Sequence, residues 1–190
     1  MFSNLANFLT LLRIILIPVL IALFFIPGPT AAWTCLFIYG IAAITDFLDG
    51  WAARKFGQTS IIGKFLDPIA DKLLVIVMLF MLVAFDRLTG IWILPAIVII
   101  VREISIAGLR EFLGPYNVTV PVSKLAKWKT MVQMFAVGFV MMREHGTWLV
   151  KYTAEIGEIG MTIAAILTVI TGWDYLKVGY KTIIELDQKS

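Results

Sequence analysis

The chain has 190 residues, of which 60% are hydrophobic and 15% are charged, and its mean hydropathy is +0.92. An average soluble domain has about 25% charged residues, so this composition excludes an ordinary water-soluble enzyme. The formal net charge is +3, and a single cysteine, Cys35, excludes an intrachain disulfide. Because a membrane-crossing helix needs about 20 apolar residues, the chain can hold about six spans and no separate soluble domain. We therefore expect one membrane-embedded domain over residues 1–190.

Apolar segments in chain order predict an all-α, polytopic membrane protein with six transmembrane helices. The predicted spans lie at about 8–26, 31–53, 61–85, 91–110, 127–143 and 152–173. Turn-forming or charged residues separate them. Pro27-Gly28-Pro29 follows the first span, Asp86-Arg87 follows the third, and Gly114-Pro115 opens the longest loop.

Basic residues lie mainly on one side of this arrangement. If the N-terminus is cytoplasmic, the cytoplasmic segments hold Arg54, Lys55, Lys64, Arg102, Arg110, Lys124, Lys127, Lys129, Lys177, Lys181 and Lys189. The opposite side holds Arg87, Arg143 and Lys151. Since cytoplasmic loops of membrane proteins carry the excess of Lys and Arg, we expect both termini to be cytoplasmic. The one-sided charge suits contact with anionic headgroups, so membrane lipids are expected partners and nucleic acid is not.

Four aspartates lie in or beside the second and third predicted spans: Asp46, Asp49, Asp67 and Asp71. Each ionised carboxylate at membrane depth costs roughly a few kcal/mol. Asp46 and Asp49 share one helix face, and Asp67 and Asp71 share another, so two adjacent antiparallel helices can point all four into one space. Such anions repel unless cations lie between them. A set of oxygen ligands without His or Cys favours Mg²⁺ or Mn²⁺.

Small residues and a guanidinium flank these carboxylates. Gly50 and Gly63 leave room for a ligand near the backbone, and Arg54 offers a planar donor fork suited to phosphate. With a divalent metal, this combination favours a site that transfers a phosphate-linked group. Two alternatives stay open: the aspartates cap helices or pair with nearby basic residues at the headgroup level, or they belong to a cation transporter. Against transport, no acidic relay crosses the other four spans.

The pattern Asp46-x2-Asp49-Gly50-x2-Ala53-Arg54-x8-Gly63-x3-Asp67-x3-Asp71 resembles the complete signature of the CDP-alcohol phosphotransferases. Eight fixed residues over 26 positions make this resemblance specific. Family members are six-helix membrane enzymes that move a phosphatidyl or similar group from a CDP-linked donor to an alcohol and release CMP. The resemblance implies that fold, a metal-dependent transferase activity, and two divalent cations, Mg²⁺ or Mn²⁺, as cofactors.

The resemblance also implies roles for individual residues. Asp46, Asp49, Asp67 and Asp71 correspond to metal ligands, and Asp71 would also be the catalytic general base. The CDP-linked donor would be held by Asp49, Gly50, Ala53, Arg54 and Gly63, with Thr10 and Arg13 contributing from the first helix.

Later segments resemble one branch of the family, the phosphatidylglycerophosphate synthases. The segments are Arg102-Glu103, Gly108–Phe112 and Ser123–Thr130, where Ala126 stands in place of the branch's usual glycine. By this similarity the donor is CDP-diacylglycerol and the acceptor sn-glycerol 3-phosphate, as in phospholipid biosynthesis. An acceptor with its own phosphate needs cationic partners, and the candidates are Arg102, Arg110 and Lys127, which would otherwise be anchors for lipid phosphates.

Some expectations stay broader than this assignment. Within the family, the alternative acceptors are inositol phosphate, serine and phosphatidylglycerol. The resemblance implies a multi-pass protein of the bacterial inner membrane with its active site at the cytoplasmic interface, and it leaves a homodimer open.

Overall fold

The structure is a computed structural model that describes residues 5–56, 61–116 and 124–188. Within these ranges, the description does not extend to the side chains of residues 5, 6, 46–56, 61–64, 67, 71, 124, 174 and 185–187. The described chain is helical throughout its regular structure and has no strand. The predicted all-α fold class is therefore confirmed for this part of the chain.

The described ranges contain six α-helices: α1 (Leu5–Phe24), α2 (Pro29–Phe56), α3 (Ile61–Ala84), α4 (Ile93–Leu113), α5 (Lys124–Met142) and α6 (Thr153–Asp187). Short 3-10 helices lie at Gly90–Trp92, Gly114–Tyr116 and Arg143–Gly146. By length and composition, three helical stretches could cross a membrane: Asn7–Phe24, Gly90–Tyr116 and Thr153–Ile184. The structure thus supports a membrane protein.

The last helix is longer than the sequence predicted. The first five predicted spans agree with α1 to α5 to within about three residues at each end, but the sixth was predicted to end near residue 173 and α6 continues to Asp187. The apolar run ends near Trp173, whereas no proline follows to interrupt the helical hydrogen bonds. The helix therefore outlasts the apolar segment from which the span was predicted.

Three connections lie together at one end of the bundle, called the distal end here: residues 25–28, 85–92 and 143–152. Phe25 meets Phe85 edge to face, with 4.9 Å between ring centroids. Arg87 Nη1 donates a hydrogen bond to Glu144 Oε1 at 2.7 Å, and Arg143 Nη1 donates to the Arg87 carbonyl oxygen at 2.8 Å. The end of α2 and the start of α3 therefore lie at the opposite end, called the proximal end.

Two glycines allow α6 to approach α5 closely. A Cβ on Gly157 would lie 2.7 Å from the backbone nitrogen of Val140, and a Cβ on Gly160 would lie 3.0 Å from the Cβ of Ala136. Any side chain at Gly157 would push the helices apart. Since the residue numbers rise along α6 as they fall along α5, the two helices are antiparallel. These glycines stabilise a contact within one chain.

The helices pack in two groups of three. α1 packs against α2 and α3, and α6 packs against α4 and α5. We call α1 to α3 the N-terminal half and α4 to α6 the C-terminal half. Contacts of α2 with α5, and of α3 with α4 and α5, join the halves. The shared core includes Leu20, Leu79, Leu82, Ile99, Val137 and Met161.

Candidate functional site

The predicted aspartates lie on α2 and α3, near the proximal end. Asp46 is ten residues before the end of α2, and Asp71 is ten residues after the start of α3. Asp49 and Asp67 are seven and six residues from the same helix ends. At about 1.5 Å of rise per residue, the first pair of backbone positions lies about 15 Å from the helix ends and the second pair about 10 Å. The four backbone positions therefore have matched depths along two consecutive helices.

The side chains of the signature pattern lie outside the described residues, so their predicted roles stay predictions. The residues concerned are Asp46, Asp49, Gly50, Ala53, Arg54, Gly63, Asp67 and Asp71. Four carboxylates at matched depths are hard oxygen donors, and this donor set fits Mg²⁺ or Mn²⁺. Among the residues whose side chains are described, no group of three or more His, Cys, Asp or Glu could hold a metal.

Two polar residues predicted to contact the donor are completely buried in α1. Thr10 and Arg13 are both 0% exposed, and their spacing of three places them on one helix face. A buried arginine is tolerated where hydrogen bonds and opposite charge compensate it. Because α1 packs against α2 and α3, both residues lie in the same half of the protein as the aspartates. Their role toward the donor stays a prediction.

A second set of polar residues lies between the helices of the C-terminal half. We call it the cation cluster: Arg102, Glu103, Arg110, Lys129, Thr171 and Tyr175. On α4, Ile99, Ile106 and Leu113 are buried at a spacing of seven residues, which defines the inward face of that helix. Arg102 lies three residues after Ile99, and Arg110 three residues before Leu113. The two arginines therefore interrupt an apolar face that packs against α6.

One carboxylate joins two of these cations. Lys129 Nζ donates a hydrogen bond to Glu103 Oε1, and Arg102 Nη1 donates to the same oxygen at 3.3 Å. The side chains of Lys129, Glu103 and Arg102 are 7%, 17% and 15% exposed. Together with Arg110, the cluster contains three basic groups and one carboxylate, which leaves a formal charge of +2. Arg102, Glu103 and Lys129 are mostly buried, whereas Arg110 is exposed, so this net positive charge is accessible and favours an anionic ligand.

Residues of α6 orient both arginines. Arg102 Nη2 lies 3.3 Å from Thr171 Oγ1, and Arg110 Nη2 donates to Tyr175 Oη at 2.7 Å. The centroid of the Tyr175 ring lies 4.9 Å from Arg110 Cζ and 5.8 Å from Arg102 Cζ. A Cβ on Gly172 would lie 3.1 Å from Arg102 Cγ, so glycine lets the arginine stem cross α6. Arg102 contacts Thr171 and the later Arg110 contacts the later Tyr175. Since the residue numbers rise together along α4 and α6, the two helices are parallel.

Some buried polar atoms on the same three helices have no hydrogen-bond partner in the described part of the chain. They are Arg102 Nε on α4, Gln133 Oε1 on α5 and Thr168 Oγ1 on α6. Gln133 is one helical turn from Lys129, and Thr168 is three residues before Thr171. Buried polar groups are normally hydrogen-bonded to protein, water or a bound ligand. Their presence beside the cation cluster is consistent with a polar ligand there.

The predicted acceptor site agrees only in part with this cluster. The structure brings Arg102 and Arg110 together, but Lys127 is exposed on α5 and Lys129, at 5% exposure, is the lysine that faces inward. Positions two apart on a helix differ by about 200°, which explains why one lysine points outward. Tyr175 was missed because it lies beyond the predicted end of the sixth span, and the i, i+4 spacing from Thr171 was its only signal.

Comparison with known proteins matches residues 3–170 to the family described as CDP-alcohol phosphatidyltransferase. The chain is 45% identical over 175 residues to the CDP-diacylglycerol--glycerol-3-phosphate 3-phosphatidyltransferase of Rickettsia typhi. That alignment covers 92% of this chain and 96% of the relative. It is 38% identical over 185 residues to the protein of the same name from Haemophilus influenzae, with 96% of each chain covered. The family match includes the four aspartates and both arginines of the cation cluster.

Proposed function

Because the chain belongs to the CDP-alcohol phosphatidyltransferase family, we propose that it transfers the phosphatidyl group of CDP-diacylglycerol to sn-glycerol 3-phosphate. The products are phosphatidylglycerophosphate and CMP. The observation that carries this proposal is the near full-length similarity to relatives of that name, in a chain that has all eight signature residues. The activity places the protein in phospholipid biosynthesis.

The charge of the cation cluster supports an acceptor that bears a phosphate. A phosphate monoester is close to a dianion at neutral pH, and it would balance the formal charge of +2 on Arg102, Glu103, Arg110 and Lys129. Guanidinium groups bind phosphate through two parallel hydrogen bonds. A neutral alcohol would leave the cluster without a counter-ion. We therefore assign Arg102, Arg110 and Lys129 to the acceptor phosphate, and Lys127 to its approach.

The four aspartates would hold two divalent cations, Mg²⁺ or Mn²⁺. Bound there, the cations would neutralise the diphosphate of the donor and the charge that develops on the leaving CMP. Asp71 would accept the proton of the acceptor hydroxyl as that oxygen bonds to the lipid-side phosphorus of the donor. The bond between this phosphorus and the CMP oxygen breaks in the same in-line displacement. Gly50, Ala53, Arg54 and Gly63 would seat the cytidine and phosphates.

We further propose that all six helices cross the bacterial inner membrane, with both termini in the cytoplasm. The helices α2, α3 and α5 expose large apolar side chains on the outside of the bundle, such as Phe37, Phe80 and Phe135 at 66–69% exposure. Most of the basic residues that the sequence analysis assigns to cytoplasmic segments would then lie on the proximal side, as expected for the cytoplasmic face. The aspartates, about 10–15 Å from the proximal helix ends, would lie where a lipid donor and a water-soluble acceptor can meet.

The decisive experiment supplies the purified protein with CDP-diacylglycerol in mixed micelles and measures CMP release. The acceptors are sn-glycerol 3-phosphate, inositol phosphate, serine and phosphatidylglycerol, each with Mg²⁺, with Mn²⁺ and with a chelator. Of the four acceptors, we expect only sn-glycerol 3-phosphate to support CMP release, and we expect no release after the metal is chelated. Release with another alcohol would move the protein to a different branch. No release with any alcohol, together with metal-dependent ion flux in vesicles, would indicate a transporter.

A further inference from the structure

We propose that Tyr175 is a positioning residue for the acceptor: it holds Arg110 in the orientation that binds the acceptor phosphate and spaces it from Arg102. This inference rests on the proposed function and assigns a new role to a residue of the same site. Tyr175 lies five residues beyond the end of the family match.

Tyr175 contacts the guanidinium groups of both Arg102 and Arg110. The residue is 3% exposed, so its ring is held by the surrounding helices. Its hydroxyl oxygen accepts a hydrogen bond from Arg110 Nη2 at 2.7 Å. Its ring lies within cation–π distance of both guanidinium groups, at 4.9 Å and 5.8 Å from their Cζ atoms. One rigid side chain therefore fixes two flexible arginines relative to each other.

A neutral support suits a group that must bind an anion. Glu103 neutralises part of the charge of Arg102 and Lys129, whereas among the described side chains Arg110 has no carboxylate partner. The hydroxyl of Tyr175 orients Arg110 without neutralising it and uses one of its five N–H donors. The remaining donors and the full charge stay available for phosphate. A glutamate at this position would compete with the ligand.

The test compares Tyr175→Phe with Tyr180→Phe, a matched control on the same helix whose side chain is 69% exposed. Tyr175→Phe keeps the ring and loses the hydroxyl. We expect its KM for sn-glycerol 3-phosphate to rise by about tenfold, as for loss of a charge-assisted hydrogen bond. The kcat and the KM for CDP-diacylglycerol should stay near the wild-type values. Tyr180→Phe should change none of the three.

A double-mutant cycle with Arg110→Ala shows whether the tyrosine acts through the arginine. If it does, Tyr175→Phe produces no further rise in KM once Arg110 is absent. Tyr175→Leu, which also removes the ring, should raise the KM more than Tyr175→Phe does. If the leucine variant fails to fold, as judged by thermal unfolding, Tyr175→Phe and the double-mutant cycle still test whether Tyr175 acts through Arg110.

Direct binding of sn-glycerol 3-phosphate, measured by calorimetry, separates this inference from the proposed function. Weaker binding to Tyr175→Phe than to the wild type supports the inference even if the wild type releases no CMP, a result that would overturn only the proposed function. Equal binding to both proteins overturns the inference. A parallel rise in the KM of both substrates, or additive effects in the cycle with Arg110→Ala, overturns it as well.

Discussion

Replacing Glu103 by alanine should destabilise the protein more than any surface substitution. Its Oε1 atom accepts hydrogen bonds from Lys129 and Arg102, and its side chain is 17% exposed. Glu103→Ala would raise the formal charge of the cation cluster from +2 to +3 and leave Lys129 unpaired at 7% side-chain exposure. Removing one partner of a buried ion pair costs about 3–5 kcal/mol, and the partial exposure of this carboxylate favours the lower figure, about 3 kcal/mol.

The measurement is thermal unfolding of the purified variants in one detergent. For a chain of this size a loss of 3 kcal/mol lowers the melting temperature by about 6–12 °C. Glu144→Ala is the control, because its side chain is 62% exposed in its pair with Arg87 and surface pairs contribute about 0–1 kcal/mol. Glu103→Ala combined with Lys129→Met removes both charges and should recover part of the loss. The reasoning is refuted if Glu103→Ala melts no lower than Glu144→Ala.

Three further predictions concern the aspartate site, the helix packing and the distal end. Asp71→Asn should abolish CMP release while the melting temperature stays near that of the wild type; substantial turnover would contradict its role as the base. Gly157→Val should lower the free energy of unfolding by about 3 kcal/mol because of its clash with α5, whereas Gly40→Ala, with open space around it, should raise that free energy by up to about 1 kcal/mol. Partial burial acts to raise the pKa of Glu144, but a backbone hydrogen bond and Arg87 hold this pKa below its ordinary value of 4.5. The melting-temperature advantage of the wild type over Glu144→Gln should therefore be complete above pH 4.5 and disappear as the pH falls through the lower folded-state pKa.

The helices could be predicted because long apolar segments are stable only in a bilayer or buried in a bundle, where a helix satisfies its own backbone hydrogen bonds. Hydropathy could not predict where α6 ends, since a helix needs only continued hydrogen bonding and no proline. The spacing of Gly157 and Gly160 in the sequence likewise cannot show which helix they contact. Small residues at this spacing indicate that the backbone of another helix comes close to α6. Only the packing of α6 on α5 shows which helix it is.

The charged members of the candidate site could be proposed from the sequence, and the neutral residues that contact them could not. Arg102 and Arg110 could be singled out because a cation on an apolar helix face requires a reason, and their role toward the acceptor stays a prediction. Which lysine of α5 faces inward depends on the rotation of that helix against α6, so the sequence could not show that Lys129 is buried and Lys127 is exposed. Tyr175 carries no charge, and an aromatic residue near a membrane interface is common, so its i, i+4 spacing from Thr171 was too weak a signal to separate it from an interfacial anchor.

The division into two halves gives the proposed chemistry a physical arrangement. The N-terminal half carries the four aspartates together with Thr10 and Arg13, and the C-terminal half carries the cation cluster. An in-line displacement needs the attacking hydroxyl and the leaving CMP on opposite sides of one phosphorus, which two separate binding sites on facing helix groups can provide. Contacts of α3 with α4 and α5 join the halves, so the phosphatidyl group would be transferred at this boundary. It follows that changes in the cation cluster should alter the use of the acceptor and leave donor binding intact, because the residues that would hold the donor belong to a different helix group.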